Sequence, residues 1–282
     1  MRVAVVLALA SAVVYGASDF LGGLSSRRAS VFGVVAVSQL VGLGALLVFL
    51  PWLGGDVGPA DLAWGAAAGL TGATGLMVFF RALASGVMSV VAPVTAVTAA
   101  AVPVLAGVVG GDSIGPWAAA GIVLALVAVV LVSAESGLSA LRAARPSSLV
   151  PALLAGTAFG VFFVLLDRTS EDAGLTPLVT ARLASITLAV VVALAGRHPL
   201  RVGRAALPLV ALSGLGDMTA NALFLLATQQ PGQLAITGVL ASLYPVSTVV
   251  LAQLVLRERL AGAQVAGLGT AAVAVVLITL PA

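Results

Sequence analysis

Residues 115–134 read GPWAAAGIVLALVAVVLVSA, a stretch of twenty residues without a single charged side chain. At 1.5 Å per residue, about 20 apolar residues cross the roughly 30 Å hydrocarbon core of a bilayer as one helix. Because lipid offers no partner to backbone N–H and C=O groups, such a stretch has to be helical. The segment therefore predicts a membrane-spanning helix.

The rest of the chain has the same character. Its 282 residues are 61% hydrophobic and 8% charged, whereas a soluble domain carries about 25% charged residues. Clusters of Gly, Pro, Arg and Asp divide the sequence into ten apolar segments. The expected fold is an all-α integral membrane protein with ten transmembrane helices, near 3–24, 31–50, 61–84, 87–110, 115–134, 149–167, 176–195, 205–228, 233–256 and 262–280.

An internal repeat is visible around the longest polar connection, residues 135–148. A shift of 146 positions aligns glycine and acidic landmarks: Gly86 with Gly232, Asp112 with Glu258 and Gly121 with Gly267. Five spans per half is an odd number, so the two halves insert in opposite orientations, as in many transporters with a site between the halves. We expect a five-helix repeat at 1–134, a cytoplasmic linker at 135–148 and a second repeat at 149–282.

The arginine distribution predicts the orientation. Only Arg2 and Arg168 lie at the membrane face where the chain would begin and end, and Arg182 lies inside a span. Ten arginines lie at the opposite face: Arg27, Arg28, Arg81, Arg142, Arg145, Arg197, Arg201, Arg204, Arg257 and Arg259. Because positive loops stay in the cytoplasm, we expect a plasma-membrane protein with non-cytoplasmic termini.

Several kinds of chemistry are excluded by composition. The chain has no cysteine and a single histidine, His198, in a loop, so thiolate metal sites and thiol catalysis are absent. It contains no phosphate-binding glycine motif, and its arginines form no stripe with aromatics that would bind nucleic acid. We expect no metal and no cofactor. The expected partners are the lipid bilayer and a small-molecule substrate, and the oligomeric state stays open.

Polar residues inside the predicted spans are the candidate functional residues, because an ionised group at the bilayer centre costs about 2.5–3.5 kcal/mol or more. Asp217 lies near the middle of the eighth span, with Asn221 one turn later. Asp217 is predicted either to carry protons or bind a substrate ammonium, or to be structural, paired with an arginine or capped by neighbouring hydroxyls. Arg182 in the seventh span would bind a substrate carboxylate, pair with Asp217 or extend to the interface.

A second set of candidates rests on depth and on helix breaks. Asp19 and Arg81 have similar predicted depths, so they would form a gate salt bridge or anchor the helix ends at the interface. Tyr244 precedes Pro245, which frees backbone carbonyls near a cavity, and Tyr244 is expected to line the pathway. Pro93 and Pro103 predict a break of the same kind in the fourth span.

Short motifs at equivalent places in both halves resemble those of EamA-type members of the drug/metabolite transporter superfamily. Residues 84–93 read ASGVMSVVAP, 242–246 read SLYPV, 256–260 read LRERL and 15–20 read YGASDF. The first half departs from the family pattern at Ala99, where a proline is expected, and at Asp112, where the family has G-E-R. Many relatives keep their termini in the cytoplasm, whereas the arginine count here places them outside.

The resemblance implies secondary transport of small organic metabolites, commonly export, through a cavity between the two bundles. We expect alternating access, with proton coupling through Asp217 as the hypothesis to test. Two other classes stay open: a membrane partner or assembly factor that transports nothing, and an intramembrane enzyme. The enzyme reading is disfavoured, because the acids are scattered and the only histidine lies in a loop.

Overall fold

The computed structural model describes residues 2–26, 29–85, 88–133, 146–229, 234–257 and 260–280. Within these ranges the chain is all-α, as predicted from sequence. Its helices are α1 (Arg2–Ser26), α2 (Val31–Leu53), α3 (Pro59–Ser85), α4 (Met88–Gly110), α5 (Pro116–Ser133), α6 (Pro146–Asp167), α7 (Pro177–Ala195), α8 (Leu207–Thr228), α9 (Leu234–Ala241), α10 (Tyr244–Leu256) and α11 (Gly262–Thr279). By length and composition, nine segments of the described chain are long and apolar enough to span a membrane, and α4 contributes a shorter apolar stretch at Val94–Gly110.

The helix packing follows an inverted-repeat pattern. Helix α1, the first of its half, packs against α8 and the α9–α10 pair, the third and fourth spans of the other half. Helix α6, the first of the second half, packs in the same way against α3 and α4. The last spans of the halves, α5 and α11, pack against each other. The two halves are therefore interlocked, and residues from both meet in the middle of the bundle.

The ninth span is broken near its centre, whereas the fourth is continuous. Ser242 and Leu243 form a turn between α9 and α10. Pro245 has no N–H to donate to the carbonyl of Ala241, one helical turn earlier, so the α-helical ladder cannot continue there. Helix α4 runs from Met88 to Gly110 and includes positions 93 and 103, so the expected break at Pro93 and Pro103 does not occur.

Two glycines allow the helices around the bundle centre to approach closely. A Cβ at Gly69 of α3 would overlap the backbone of Ala181 in α7, and a Cβ at Gly214 of α8 would overlap the backbone of Ser38 in α2. Any larger residue would push these helices apart. The contacts matter because Arg182 follows Ala181 and Gln39 follows Ser38, so both side chains are held at the bundle centre.

Loops from the two halves are joined at the membrane face where α1 begins and α11 ends, here called the terminal face. Leu175 N–H donates to the carbonyl of Leu53 at 2.9 Å, next to an antiparallel bridge between Gly54 and Gly174. The carboxylate of Asp61 accepts from the backbone N–H of Ser170 at 2.7 Å and from the Ser170 hydroxyl at 3.1 Å. These bonds form the terminal-face seal.

Asp112 adds a further link between the halves at this face. Its Oδ2 accepts the backbone N–H of Ala235 in the first turn of α9 at 2.9 Å. The carboxylate therefore satisfies one of the backbone donors that a helix N-terminus leaves free. Its repeat counterpart, Glu258, lies outside the described residues.

Candidate functional site

Serine hydrogen bonds fix the register between α1 and α8 and place Tyr15 at the bundle centre. The Ser11 hydroxyl donates to the carbonyl of Ala220 at 2.8 Å. The hydroxyls of Ser18 and Ser213 each donate to the other residue's carbonyl, at 2.6 and 2.9 Å. Because the helices run antiparallel, residues between these two links face each other, and Tyr15 lies level with Asp217.

Arg182 and Asp217, both predicted from sequence, form a salt bridge. The guanidinium Nη1 of Arg182 lies 2.6 Å from Oδ2 of Asp217, and the side chains are 7% and 30% exposed respectively. Asp217 lies ten residues after the start of α8 and eleven before its end, so the pair lies near mid-membrane. Of the alternatives drawn from sequence, the structure has Arg182 turned inward and paired with Asp217.

Gln39 of α2 holds the same arginine from the other half of the chain. Its Oε1 accepts from Arg182 Nη1 and, at 3.3 Å, from the hydroxyl of Ser185. Gln39 is not among the residues predicted from sequence, although an amide inside the apolar span 31–50 is a signal of the same kind as Asp217. The Nε of Arg182 points at the sulfur of Met218, 3.4 Å away.

Asn221 lies beside the salt bridge but bonds within its own helix. Its Nδ2 donates to the backbone carbonyl of Asp217 at 2.7 Å, and the residue is 4% exposed. This bond stabilises the carbonyl one turn earlier and fixes the Asn221 side chain against α8. The structure thus places Asn221 next to the cluster predicted from sequence, with its amide group already engaged.

Tyr15, Asp19 and Tyr244 complete the cluster. The charges of Asp217, Arg182 and Asp19 act electrostatically on the Tyr15 hydroxyl, as does Tyr244. Asp19 interacts electrostatically with Asp217 and with Tyr244. Tyr244 is half-buried at the first position of α10, where the break of the ninth span brings it to the bundle centre.

Asp19 has an exposed side chain and forms no hydrogen bond or ion pair within the described residues. Its predicted gate partner, Arg81, has a side chain outside the described part of the structure. Two carboxylates therefore share one described guanidinium. When all three groups are ionised, the described residues leave one negative charge of the cluster uncompensated.

Two buried donors in the cluster also lack partners among the described residues. Within the described part of the chain, the Tyr15 hydroxyl forms no hydrogen bond and the Nη2 of Arg182 donates none. Both residues are buried, with 9% and 6% of their surface exposed. Buried polar groups are normally paired, so each exception calls for an explanation. The described chain also holds no group of three or more His, Cys, Asp or Glu residues that could bind a metal ion.

Comparison with known proteins agrees with this architecture. The sequence model of the EamA-like transporter family matches residues 2–134 and, a second time, residues 147–280. The chain belongs to the EamA-like transporter family. The two matches cover both five-span halves, so the family's repeat is present twice, and the resemblance drawn from the motifs is confirmed.

A solved crystal structure of another protein has the same fold as this EamA-like chain. It superposes with a TM-score of 0.76 at 18% sequence identity, covering 98% of this chain and 96% of that one. At this identity the similarity shows the fold alone. No curated protein matches the sequence.

Proposed function

We propose that this EamA-like protein is a secondary transporter that exports small organic metabolites by alternating access, with the Arg182–Asp217 cluster as its central site. The observation that carries the proposal is the composition of the cluster. Tyr15, Asp19 and Gln39 come from the first half, and Arg182 and Asp217 come from the second. A rearrangement of the helices that carry these residues, relative to one another, would therefore change the distances within the site itself.

Proton coupling is the second part of the proposal. Sequence pointed to Asp217 alone, but Asp217 is engaged by Arg182, whereas Asp19 has no described partner. The negative charge that the described residues leave uncompensated is neutralised most simply by a proton or a cationic group, because ionised side chains are costly at this depth. We assign the proton to the Asp19–Asp217 pair, with Asp19 as the acceptor in this state.

The direction of transport is inferred from which face is closed. The terminal-face seal joins the halves on one side of the site, and exposed Asp19 lies seven residues before the opposite end of α1. The arginine-rich loops lie at that opposite face, which the positive-inside rule assigns to the cytoplasm. A site that loads from the cytoplasm is what an exporter in the plasma membrane requires.

Transport can be tested with purified protein in liposomes that enclose a pH-sensitive dye, using a panel of metabolites. We expect substrate-dependent proton movement with wild-type protein and its loss in Asp19→Asn and Asp217→Asn. Asp56→Asn is the matched control, because Asp56 is an exposed acid in the loop after α2. Substrate flux without proton movement would overturn the proposed proton coupling and would still support the transporter function. No flux for any compound, with folded protein, would favour the assembly-factor hypothesis.

Orientation has its own test, because the sequence has no cysteine. Asp56→Cys and Arg204→Cys place one thiol at each face, both at exposed positions. In intact cells we expect a membrane-impermeant maleimide to label position 56 and not position 204. The reverse result would place the termini in the cytoplasm and would reverse the inferred direction of transport.

A further inference from the structure

An apolar groove lies between α3 and α7 on the outside of the helix bundle. Its volume is about 420 Å³, and its walls are formed by Ala66 and Leu70 of α3 and by residues of α7 between Thr180 and Val191. The side chains of Leu70 and Val191 are exposed. At 3.6 residues per turn, the α7 residues of the groove face away from Arg182. The groove is therefore separate from the central cluster and opens to the surroundings of the bundle.

Close backbone contacts between α3 and α7 give the groove its shape. A Cβ at Gly65 would overlap the carbonyl oxygen of Pro177, and the Gly69 contact described above repeats this one turn later. Ala66 and Ala184 lie in the groove beside these contacts. Because their side chains are short, they leave the space between the two helices unfilled on the outer side.

The groove walls are suited to a hydrocarbon. The hydroxyl of Thr180 donates to the carbonyls of Leu62 and Pro177, at 3.0 and 2.9 Å. The hydroxyl of Thr187 donates to the carbonyl of Leu183 at 2.7 Å. All other side chains that line the groove are alanine, leucine or valine. A polar ligand would lose its hydration here without gaining strong partners, whereas an alkyl chain would lose nothing.

The two ends of the groove differ in charge. At the terminal face, the loop that leads into α7 carries two exposed acids, Glu171 and Asp172. At the opposite face, the connection between α7 and α8 contains no acidic residue and has three exposed arginines: Arg197, Arg201 and Arg204. An anionic group is therefore attracted to the arginine end of the groove and repelled from the other end.

Arg197 is the arginine closest to the groove along the chain. It follows Val191 by six residues, about 9 Å at the helical rise, and its N–H donates to the carbonyl of Leu194 at 3.1 Å, against the end of α7. Its backbone has a φ of 53°, a conformation that glycine adopts most readily. The backbone does not require an arginine here, and a guanidinium at this position can bind a phosphate through two hydrogen bonds.

We propose that the α3–α7 groove binds an acyl chain of an anionic phospholipid and that Arg197 binds the phosphate of the same molecule. The chain enters beside Val191 and lies along α7 as far as Thr180. These residues are about 16 Å apart at the helical rise, roughly half of the 30 Å hydrocarbon core. The lipid belongs to the leaflet at the arginine-rich face. This inference is independent of the transport proposal, because it concerns the outer surface of the bundle.

Native mass spectrometry of the purified protein in detergent tests the proposal. The probes are dioleoyl phosphatidylglycerol and dioleoyl phosphatidylethanolamine, which have the same acyl chains and differ in headgroup charge. We expect the anionic lipid to bind about fivefold more tightly or better, because basic residues near a membrane surface attract anionic headgroups. Equal affinity for the two lipids would overturn the assignment of an anionic ligand.

Variants separate the two ends of the lipid. Arg197→Gly should remove most of the preference for phosphatidylglycerol and leave phosphatidylethanolamine unaffected, without a lower melting temperature, because glycine suits the backbone there. Ala184→Leu fills the groove and should weaken binding of both lipids several-fold. The matched controls are Arg168→Gly, at an exposed arginine of the terminal face, and Ala272→Leu, at an exposed alanine of α11. Both controls should bind the two lipids as wild type does.

Three results would contradict the proposal. The first is an unchanged lipid preference in Arg197→Gly, and the second is unchanged binding of both lipids in Ala184→Leu. The third is a dimer that Ala184→Leu dissociates while the lipids bind as before, since the groove would then be an interface between copies of this chain. If Ala184→Leu lowers the melting temperature, Ala66→Leu fills the same groove from α3 and replaces it in the test.

Discussion

Arg182 and Asp217 are joined by a 2.6 Å salt bridge between α7 and α8, and the bridge is held from the other half of the chain by Gln39. The arginine thus ties together three helices that belong to both repeats. Because its partners differ in charge and come from different halves of the chain, each can be changed separately, and several of the predictions below use that separation.

Removing one member of the salt bridge should destabilise the protein more than removing both. Arg182→Gln leaves the Asp217 carboxylate without its partner, at an expected cost of about 3 kcal/mol in the free energy of unfolding. The double variant Arg182→Gln/Asp217→Asn also removes the Asp217 carboxylate and should recover much of that loss. Thermal unfolding in detergent measures Arg182→Gln, Asp217→Asn and the double variant. Equal losses that simply add in the double variant would show that the pair is not coupled.

Gln39→Glu should rescue Asp217→Asn. Residue 39 already contacts Arg182 Nη1, so a carboxylate placed there can replace the lost partner of the guanidinium. We expect Asp217→Asn to lose about 3 kcal/mol and Gln39→Glu/Asp217→Asn to regain most of it. Gln39→Leu in the same background is the control and should regain nothing. If Leu and Glu rescue equally, the contact between residues 39 and 182 does not govern stability.

Asp61→Ala should open the terminal-face seal. The substitution removes the acceptor for Ser170 N–H, the Ser170 hydroxyl and Gly58 N–H, the last at 2.9 Å. Loss of bonds to a charged acceptor costs about 1.5–3 kcal/mol each at most, and less at a partly solvated loop. The readout is the labelling rate of Ala173→Cys, a position with no exposed surface in the sealed state.

We expect labelling at position 173 to be slow with Asp61 intact and several-fold faster with Asp61→Ala. Asp56→Cys, at an exposed position, reports whether the reagent itself is equally available in both backgrounds. Unchanged labelling at 173 beside normal labelling at 56 would mean that Asp61 does not hold the seal closed.

Gly69→Ala should disturb the site from a distance. The added Cβ would overlap the backbone of Ala181, and overpacking of this kind costs about 1–3 kcal/mol. The displacement of α7 carries Arg182 away from Asp217, so substrate affinity should fall together with stability. Gly44→Ala is the matched control, because its Cβ meets nothing within 4 Å. For Gly44→Ala we expect at most an increase of about 1 kcal/mol in the free energy of unfolding, from helix propensity.

The helix positions and some of the site residues follow from local properties that can be read from the sequence. Apolar length alone located the helices to within a few residues, because a segment surrounded by lipid has no alternative to internal hydrogen bonding. An ionised group inside an apolar span is equally visible, so Asp217 and Arg182 were predicted as candidates. Pro245 was expected to break the ninth span, and the turn at Ser242 and Leu243 lies immediately before it.

Other features depended on the three-dimensional packing. Pro103 is as prominent in the sequence as Pro245, yet α4 continues through it. Local proline chemistry is the same in both helices, so the difference arises from the packing around each. In the sequence, Tyr15 was noted only as part of a family motif. Its position at the same depth as Asp217 is set by serine hydrogen bonds to residues about two hundred positions away.

The sequence by itself determined that this chain crosses the membrane in two inverted halves, because hydropathy and loop length act locally along the chain. Only the tertiary structure decided that Arg182 meets Asp217 and Gln39, that Asp19 is left without a described partner, and that two buried donors have no partner among the described residues. These relationships depend on glycine contacts and helix registers between the halves. Such contacts are set by the packing of whole surfaces, and no local pattern encodes them.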